Sequence, residues 1–310
     1  MIGVGRNHHM YGKLTEVTSE KNVMVDEQLR NHTYTRLGGK ADFLVTPETY
    51  EEVQAIVKLA NQEEIAFTLL GNGSNLIVKD GGIRGIVMNL KKLNSIWRED
   101  DKIIAQSGAR IIDASQQALK ESLHGLEFAC GIPGSVGGAL YMNAGAYGGE
   151  IKDVLESTKV ITREGEVLTL PAADLGLHYR TSNIPEKGYI VLEATFSLQT
   201  GNAEEIKAIM DELTFKRESK QPLEYPSCGS VFKRPPGYFA GKLIQDSDLQ
   251  GKQIGGAQVS TKHAGFIVNK DNATATEYIE LIRFVQSTVK EKFGVNLERE
   301  VRIIGEDPTE

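Results

Sequence analysis

The sequence has few cysteines, no excess of basic residues and no long apolar run. Its two cysteines, Cys130 and Cys228, are far apart and lack the close spacing of a metal site. They provide no disulfide framework, which favours a reducing compartment. The net charge of -7 argues against a general nucleic-acid binder, which needs a basic face to neutralise phosphates. A local basic pocket for a phosphorylated small molecule stays compatible with this charge.

Apolar runs of bilayer length are absent, and residues 1–13 contain no apolar core of signal-peptide length. We therefore expect a cytoplasmic protein that does not associate with membranes. Hydrophobic residues make up 40% of the chain and charged residues 25%, as in ordinary globular domains. A length of 310 residues predicts two or three domains.

Glycine, by contrast, is concentrated in two segments about sixty residues apart. The first glycine segment, residues 71–76, reads GNGSNL, and the second, residues 131–149, has seven glycines among nineteen residues. Because glycine has no Cβ, its backbone N–H groups can approach a ligand closely. The two segments together indicate a large phosphate-bearing ligand that is held at two places.

The first glycine segment matches neither of two common phosphate-binding motifs. Leu76 stands where the G-x-G-x-x-G dinucleotide motif needs its third glycine, and the residues that follow indicate a strand instead of a helix. It is not a P-loop either, because no Gly-Lys-Ser/Thr follows. A strand–turn–strand with inward N–H groups would form an anion-binding nest. The structural alternative is a tight turn without a ligand.

The second glycine segment interleaves glycine with apolar residues such as Ile132, Val136 and Leu140. This pattern suits a backbone packed against a flat apolar ligand, for example a fused aromatic ring. The alternative is a glycine-rich crossing between sheets. Taken together, the two segments predict a bound dinucleotide.

Residue patterning predicts a mixture of strands and helices, with a domain boundary near residue 202. A polar lead-in is expected over residues 1–22, with His8 and His9 in a mobile tail and not in a metal site. Helices are predicted from Thr49 (with Glu52 completing a capping box) and over residues 112–124, 202–220 and 276–293, the last ended by Gly294. Strands are predicted over residues 41–45, 65–70, 76–78, 83–90, 102–106, 154–162, 166–170, 189–198, 230–233, 265–268 and 295–304.

Three further motifs give the chain a resemblance to a known enzyme family. Residues 178–182 read HYRTS, residues 229–233 read GSVFK, and residues 297–302 read LEREVR. With the glycine segments, in this order and spacing, they resemble the UDP-N-acetylenolpyruvoylglucosamine reductases over residues 25–305. That family consists of flavoenzymes that make UDP-N-acetylmuramate for bacterial cell walls.

The resemblance implies an α+β fold, with a vanillyl-alcohol-oxidase/PCMH-type FAD-binding domain and a smaller α+β substrate-binding domain. Residues 1–22 would be a flexible lead-in, residues 23–201 the FAD-binding domain in two lobes, and residues 202–310 the substrate-binding C-terminal domain. The short interval between Arg180 and Ser230 resembles the family's shorter form, which lacks a tyrosine-bearing loop. FAD would be bound non-covalently, NADPH would donate hydride, and the protein would be a monomer or weak dimer.

The resemblance also assigns site residues, and none of them is a metal ligand. FAD would be held by Gly71, Asn72, Gly73, Ser74, Asn75, Gly131, Ile132, Pro133, Gly134, Ser135, Gly138, Asn143, Gly145 and Arg217. The substrate, UDP-N-acetylglucosamine enolpyruvate, would be bound by Lys220, Arg234, Lys262 and His263. From the residues alone, a solvated helix face is the favoured interpretation of Arg217 and Lys220.

Reduction of an enolpyruvyl ether needs three protein groups, and the resemblance assigns them to Arg180, Glu300 and Ser230. Hydride addition to the vinyl CH2 carbon leaves negative charge on the adjacent carbon and its carboxylate. Arg180 would bind that carboxylate with its planar fork, and Glu300, with a raised pKa, would stabilise the charge. Ser230 would deliver the proton as general acid.

Each of these residues has a simpler interpretation from pattern alone. Arg180 could be a surface ion-pair partner, and Ser230 a turn hydroxyl bonded to backbone. Glu300 shares a predicted strand face with Glu298 and Arg302, which is typical of a solvated side chain.

Two other functions are compatible with the glycine segments. The first is another FAD-linked sugar or hydroxy-acid oxidoreductase of the same superfamily, in which Cys130 could hold the flavin covalently. The second is a nucleotide-binding sensor without chemistry, which would not need Arg180, Ser230 and Glu300 to act together.

The chain departs from the family pattern at three positions. Cys130 and Cys228 stand where alanine is common, and their small size favours a packing role. Gln250 replaces a common lysine that can contact the substrate pyrophosphate, a contact that Lys252 or Lys262 could supply instead.

Overall fold

The computed structural model describes residues 3–309, with side chains from residue 7. The described chain forms two compact units. The first contains the residues up to Asp26 together with Asp42–Asn72 and Gly85–Phe215, and the second contains Glu27–Ala41, Gly73–Arg84 and the residues from Lys216 on. The division after Phe215 differs from the predicted boundary near residue 202. The helix that begins at Ala203 starts in the first unit and continues to Lys220 in the second.

The described residues form eight α-helices and nineteen strands. The helices are α1 Gly3–Val17, α2 Tyr50–Gln62, α3 Ile111–Lys120, α4 Val136–Tyr141, α5 Ile184–Lys187, α6 Ala203–Lys220, α7 Ala240–Asp246 and α8 Ala275–Phe293. The strands are β1 Val23–Gln28, β2 Lys40–Val45, β3 Phe67–Leu69, β4 Leu76–Val78, β5 Ile83–Met88, β6 Ile96–Glu99, β7 Lys102–Gln106, β8 Leu123–His124, β9 Gly145–Ala146, β10 Gly149–Glu150, β11 Leu155–Ile161, β12 Val167–Pro171, β13 Ile190–Ser197, β14 Gln199–Thr200, β15 Ser227–Ser230, β16 Gln253–Ile254, β17 Ala257–Val259, β18 Phe266–Asn269 and β19 Arg302–Ile304.

A four-stranded sheet in the first unit has the order β1-β2-β5-β3, with β3 parallel to β5. Its core is covered by α1 and α2, whose apolar residues pack with those of the sheet. Helix α2 begins where the sequence predicts, because the Thr49 side chain accepts a hydrogen bond from Glu52 N. The Glu52 carboxylate in turn accepts from Glu48 N at 2.7 Å.

The prediction of a flexible lead-in over residues 1–22 is wrong for the described residues. Helix α1 occupies most of this segment, and His8 and His9 are exposed on it. Its glycines oppose helix formation, but Met10 and Leu14 are buried in the core of the four-stranded sheet. That burial stabilises the helix against its poor intrinsic propensity. Met1 and Ile2 lie outside the described residues, as does Glu310 at the other end.

An antiparallel five-stranded sheet, of order β12-β11-β13-β7-β6, completes the first unit. The strands predicted over residues 102–106, 154–162, 166–170 and 189–198 are confirmed here. Helices α3 and α4 pack on this sheet around buried residues such as Ile111, Val136 and Phe196. Helix α3 ends at Lys120, earlier than predicted, because Ser122 has a positive φ of 55° and the next residues pair as β8 with β14.

The second unit contains a four-stranded antiparallel sheet, of order β15-β18-β17-β16, and a parallel pair of β19 with β4. Helix α8 packs on the sheet through fully buried residues that include Tyr278 and Val285. It begins at a capping box of Thr274 and Glu277 and ends, as predicted, at Gly294 with a φ of 70°. Asp80 adds a second cap, since its carboxylate accepts from Ala275 N and Thr276 N, each at 2.8 Å.

The long final strand predicted over residues 295–304 is wrong. Only Arg302–Ile304 form a strand, paired with β4. The residues before this strand lie along the segment that follows β15. Lys233 N donates a hydrogen bond to Glu298 O, and Phe232 and Arg299 form an isolated antiparallel β-bridge. The predicted strand 230–233 likewise lies earlier, at Ser227–Ser230. The irregular backbone of both segments brings Ser230 and Glu300 together.

Candidate active site

The two glycine segments meet in the first unit, at Gly71 and Ser135. A Cβ built on Gly71 would stand 3.2 Å from Ser135 Oγ. The carbonyl of Gly71 accepts a hydrogen bond from Asn89 Nδ2 at 3.1 Å, which fixes the loop. The prediction that the two segments belong to one region is therefore consistent with their placement.

Ser135 caps a short helix that the sequence did not reveal. Its buried hydroxyl accepts from Gly138 N at 3.1 Å at the start of α4. The glycine content of this segment disfavours a helix prediction, although a serine before a helical turn is a recognised start signal. The residues before it, Gly131, Ile132, Pro133 and Gly134, are half-buried, and Gly138 is exposed.

Some glycines of the second segment have a purely structural reason. A Cβ on Gly137 would stand 2.1 Å from Ser107 Oγ, and one on Gly149 would stand 2.7 Å from Phe128 Cγ. A side chain at either position would force its neighbour to shift. Close packing thus accounts for glycine at these two positions, while residues 131–134 are half-buried backbone that a ligand could cover.

The chain passes from the first unit to the second between Asn72 and Gly73. In the second unit, Gly73 is buried with a φ of 63°, and its carbonyl accepts from Tyr34 N at 3.2 Å. Ser74 and Asn75 are half-buried. The predicted strand–turn–strand therefore has a defined turn, with Gly73 in a conformation that other residues rarely adopt.

Gly73→Ala is expected to destabilise the chain more than Gly148→Ala. Both glycines have a positive φ, which costs about 1–2 kcal/mol for alanine. At Gly73 the new methyl would also lie 2.7 Å from Thr33 Cα, whereas nothing lies within 4 Å of it at Gly148. The overpacking adds about 1–3 kcal/mol. Urea denaturation measures the difference in the free energy of unfolding, and equal losses would contradict the structural role of Gly73.

Arg180 lies in a tight turn of residues 178–182, here called the Arg180 hairpin. His178 and Thr181 exchange backbone hydrogen bonds of 3.1 and 3.2 Å, and Arg180 itself has a φ of 52°. Its guanidinium donates from Nη2 to Gly145 O at 2.9 Å and lies 5.1 Å from the Tyr179 ring centroid. A non-glycine residue in this strained region is a frequent feature of functional sites. The half-buried arginine is therefore held from both its backbone and its side chain.

Ser230 ends a β-bulge in the second unit. Ser227 pairs with Val268 and Ser230 with Phe266, so that Cys228 and Gly229 together face one partner residue. Gly229 has a φ of 72°, and its N–H donates to Ser227 Oγ at 3.3 Å. The bulge leaves Ser230 exposed instead of buried in the sheet. The sequence signal for it was the glycine directly before the serine.

A backbone hydrogen bond holds Glu300 next to Val231, the residue that follows Ser230. The Glu300 N–H donates to Val231 O at 2.8 Å, and its carbonyl accepts from Asn75 Nδ2 at 3.5 Å. Arg302 N also donates to Asn75 O, at 3.1 Å. The second unit thus brings together Glu300, Ser230 and the end of the first glycine segment. Glu300 is half-buried, unlike the exposed Glu298, and it lies outside the strand Arg302–Ile304, so that its interpretation as a strand residue is wrong.

A second group of predicted residues lies near the end of α6. Arg217 donates to the Gln221 side chain at 3.0 Å, and Lys220 is exposed in the last turn. Lys262 reaches the same turn, since its Nζ donates to Glu218 O at 2.8 Å. Three basic side chains therefore share this end of the helix, which suits an anionic ligand.

Arg234 and His263, the other predicted substrate residues, both lie in the second unit and pack on phenylalanine rings. Arg234 stacks over the Phe239 ring at 4.0 Å, directly before α7. The His263 ring packs on Phe266 with a centroid distance of 4.7 Å, and its Nδ1 accepts from Gly265 N at 3.1 Å. Burial lowers the pKa of His263, so the ring is neutral at physiological pH. Because Nδ1 accepts, the proton of the neutral ring is on Nε2.

Lys252 and Lys262, the two lysines that could replace a lysine at position 250, differ in their surroundings. Gln250 donates to Thr261 O at 3.2 Å, beside Lys262. Lys252 lies 4.7 Å from the Phe284 ring centroid, against α8. Lys262 is therefore the better candidate to supply the contact.

Both cysteines are buried thiols with packing contacts. Cys130 Sγ lies 3.7 Å from Met210 O and packs in a small cluster with Ile206 of α6. Cys228 lies 3.3 Å from the Tyr278 hydroxyl, and burial raises the pKa of its thiol to about 11. A thiol with such a pKa stays protonated and unreactive. The expectation of a packing role agrees with these contacts.

Among the described residues, no group of histidine, cysteine and carboxylate side chains has the arrangement of a metal site. In the same part of the chain, no helix is both long and apolar enough to cross a membrane.

The first unit offers a surface that fits FAD. Gly71 and Ser135 approach so closely that a side chain on Gly71 would fill the space between the two glycine segments. Residues 131–134 add half-buried backbone next to the apolar core through Ile132. Glycine backbone donors and an apolar floor suit a pyrophosphate joined to a fused ring.

Comparison with protein families assigns FAD binding to the earlier part of the chain and a reductase domain to the later part. Residues 41–171 match the model described as FAD binding domain, and residues 221–304 match the one described as UDP-N-acetylenolpyruvoylglucosamine reductase, C-terminal domain. The fold and site therefore define an α+β flavoprotein with an FAD-binding domain and a separate reductase domain. FAD is its cofactor.

Similar proteins extend the match to nearly the whole chain. The chain is 79% identical over 304 residues to UDP-N-acetylenolpyruvoylglucosamine reductase of Oceanobacillus iheyensis, covering 98% of this chain and 99% of that protein. Identity to the reductase of the same name from Staphylococcus aureus (strain COL) is 60%, with the same coverage. The crystal structure of UDP-N-acetylenolpyruvylglucosamine reductase from Thermus caldophilus matches with a TM-score of 0.78 and 35% identity, over 91% of this chain and 97% of that chain.

A glucose dehydrogenase, Phl p 4.0202, is similar at a TM-score of 0.51 and 13% identity over 63% of this chain and 44% of that chain, which indicates a shared fold alone. The chain belongs to the UDP-N-acetylenolpyruvoylglucosamine reductase family.

Proposed function

We infer that this chain reduces UDP-N-acetylglucosamine enolpyruvate to UDP-N-acetylmuramate, with NADPH as hydride donor, in the synthesis of peptidoglycan precursors. FAD, held by the glycine segments, would supply the hydride chemistry of the reduction. The protein must bind the substrate, stabilise the charge that then develops and provide one proton. The hydrogen bond from Glu300 N to Val231 O, next to Ser230, supports this function most directly.

Arg180 is the group that binds the substrate carboxylate. A guanidinium is charged at every physiological pH and can bind a carboxylate through two parallel hydrogen bonds. The strained hairpin and the contact with Gly145 O support a fixed position for it. Preorganised charge of this kind stabilises a transition state without reorganisation during the reaction.

Ser230 is the general acid. As charge develops on the carbon next to the carboxylate, the Ser230 O–H bond breaks and the proton forms a new C–H bond there. The alkoxide that remains regains a proton from solvent. The bulge that exposes Ser230, with Gly229 at positive φ, supports a serine aimed away from the sheet.

Glu300 stabilises the developing charge together with Arg180. This role requires its carboxyl group to be protonated when the charge develops, and the residue is half-buried. A protonated carboxyl group donates a hydrogen bond to the oxygen on which charge accumulates.

The basic residues at the end of α6 suit the phosphates of the cofactor and the substrate. We assign Arg217 to FAD and Lys220 and Lys262 to the substrate pyrophosphate. Arg234 and His263 complete the substrate-binding set, with the neutral His263 ring as hydrogen-bond donor through Nε2.

Some oxidases of the superfamily attach the flavin covalently, but the buried position of Cys130 disfavours such an attachment here. Its sulfur lies 3.7 Å from Met210 O of the α6 backbone, and the residue is buried. Denaturation in acid should release the yellow colour from the polypeptide. Colour that stays with the protein would favour an oxidase.

We further propose that the protein acts in the cytoplasm as a monomer or weak dimer, on a small-molecule substrate and without nucleic-acid or membrane partners. Two buried thiols and a net charge of -7 support this environment.

The experiment that tests the function mixes the purified chain with NADPH and the enolpyruvyl substrate. We expect NADPH oxidation to depend on the substrate and mass spectrometry to detect UDP-N-acetylmuramate. NADPH oxidation without this product would contradict the proposal.

A further inference from the structure

The side chain of Asn143 is fully buried in the second glycine segment, where the resemblance assigns it to FAD. Its φ is 46°, a conformation that asparagine tolerates better than most residues. A buried polar side chain must find hydrogen-bond partners within the protein. The partners of Asn143 therefore identify what it does.

The Asn143 amide makes three hydrogen bonds within the first unit. Nδ2 donates to Glu150 Oε2 at 2.6 Å and to His178 O at 2.9 Å. Oδ1 accepts from Lys152 N at 2.9 Å. Both N–H groups and the carbonyl oxygen are thus engaged by protein atoms.

One of these partners, His178, begins the Arg180 hairpin. The exchange of backbone bonds between His178 and Thr181 makes the hairpin a rigid unit. A second bond joins the hairpin to the glycine segment, because Ser182 Oγ donates to Tyr141 O at 2.5 Å. The hairpin is therefore held at both ends by residues 141 and 143.

The Arg180 side chain is held by the same segment. Its Nη2 donates to Gly145 O at 2.9 Å. A Cβ on Gly145 would stand 3.2 Å from Arg180 Nη1 and 2.7 Å from Gly149 O. Glycine at position 145 thus leaves room for the guanidinium beside the backbone.

We propose that Asn143 is a positioning residue for Arg180. Its side-chain amide fixes the Arg180 hairpin to the second glycine segment. The inference rests on the proposed function, since it assumes that Arg180 binds the substrate carboxylate. The amide's role is mechanical support of a strained turn, because its two N–H groups and its oxygen all bond protein atoms.

The test compares Asn143→Gly with Asn272→Gly. Glycine adopts the positive φ of both positions, so that the first variant loses the buried side chain and its three hydrogen bonds without backbone strain. Asn272 is a matched control, an exposed asparagine with a φ of 49° in the second unit. We expect Asn143→Gly to bind FAD and to be bleached by NADPH within about twofold of wild type, since displacement of one catalytic group affects only the later step. Reoxidation by the substrate should slow about 10²-fold, because a misplacement of about 1 Å has effects of this size.

A double-mutant cycle shows whether Asn143 acts through Arg180. We expect Asn143→Gly to cause no further loss of reoxidation rate in an Arg180→Ala background, because the group it positions is already absent. Multiplied losses, or a large loss of FAD binding in Asn143→Gly alone, would overturn the proposal.

Asn143→Asp is a second variant in case the glycine variant folds poorly. It keeps the shape but loses both donors and places a carboxylate beside Glu150, and we expect the same selective loss. Failure of both variants to fold would assign Asn143 to the fold alone and overturn the proposal. Failure of wild-type enzyme to be reoxidised by the substrate would instead contradict the proposed function.

Discussion

Replacing Ser230 by alanine is expected to slow reoxidation of the flavin by the enolpyruvyl substrate about 10²- to 10⁴-fold, the usual contribution of a positioned general acid. Bleaching of the flavin by NADPH should continue at close to the wild-type rate, because no proton from Ser230 is needed for it. Stopped-flow absorbance separates the two half-reactions. The substitution removes one exposed hydroxyl at the end of the bulge, so the sheet should remain intact.

A matched control for this variant is Ser287→Ala. The Ser287 hydroxyl is bonded within α8, to Arg283 O at 3.0 Å, and serves no proposed role in the reaction. It should leave both half-reactions unchanged. If Ser230→Ala slowed both half-reactions equally, Ser230 would be a structural turn residue and not the acid.

The second large effect is expected at Glu300. Glu300→Ala should slow reoxidation about 10²- to 10³-fold, because loss of one hydrogen bond to a developing oxyanion has effects of this size. Glu300→Gln keeps an N–H donor at the same place and should recover part of the rate. Rapid-mixing measurements of the same half-reaction test both variants.

Glu298→Ala is the comparison for Glu300. Glu298 is two residues away in the same segment, and its exposed carboxylate pairs with Lys233 at 2.6 Å. Exposed pairs of this kind contribute about 0–1 kcal/mol to stability, so we expect little change in rate. Equal losses in the Glu298 and Glu300 variants would point to damage of the segment instead of loss of a catalytic group.

Elements that carry strong local signals could be predicted from the sequence. The Thr49 cap, the bounds of β7 at Lys102–Gln106 and the end of α8 at Gly294 all follow from residues next to one another. Such signals act within one turn or one strand, so no knowledge of the rest of the fold is needed.

Helices α1 and α4 could not be predicted in this way. Both are rich in glycine, which disfavours helices by about 1 kcal/mol per residue relative to alanine. Burial of Met10 and Leu14 stabilises α1, and the Ser135 cap together with the contact of Gly137 with Ser107 fixes α4. The burial of Met10 and Leu14 and the contact of Gly137 with Ser107 join residues distant in sequence, and the one local signal, the Ser135 cap, is outweighed by the glycines that follow it.

The candidate site was only partly accessible to pattern reasoning. The glycine segments indicated a dinucleotide, and Gly71 and Ser135 do approach each other. Arg180 and Ser230 were indicated by family resemblance, because the turn and the bulge that present them depend on positive φ angles at Arg180 and Gly229. Alternation placed Glu300 on a regular strand, an error because only Arg302–Ile304 of that segment form a strand.

The most direct test of the central claim is an anaerobic titration followed by flavin absorbance. The purified protein is first reduced with NADPH and then mixed with UDP-N-acetylglucosamine enolpyruvate. We predict that the flavin absorbance disappears in the first step and returns in the second, with one UDP-N-acetylmuramate formed for each flavin reoxidised. Flavin that stays reduced after addition of the substrate would contradict the assignment of this chain as the reductase.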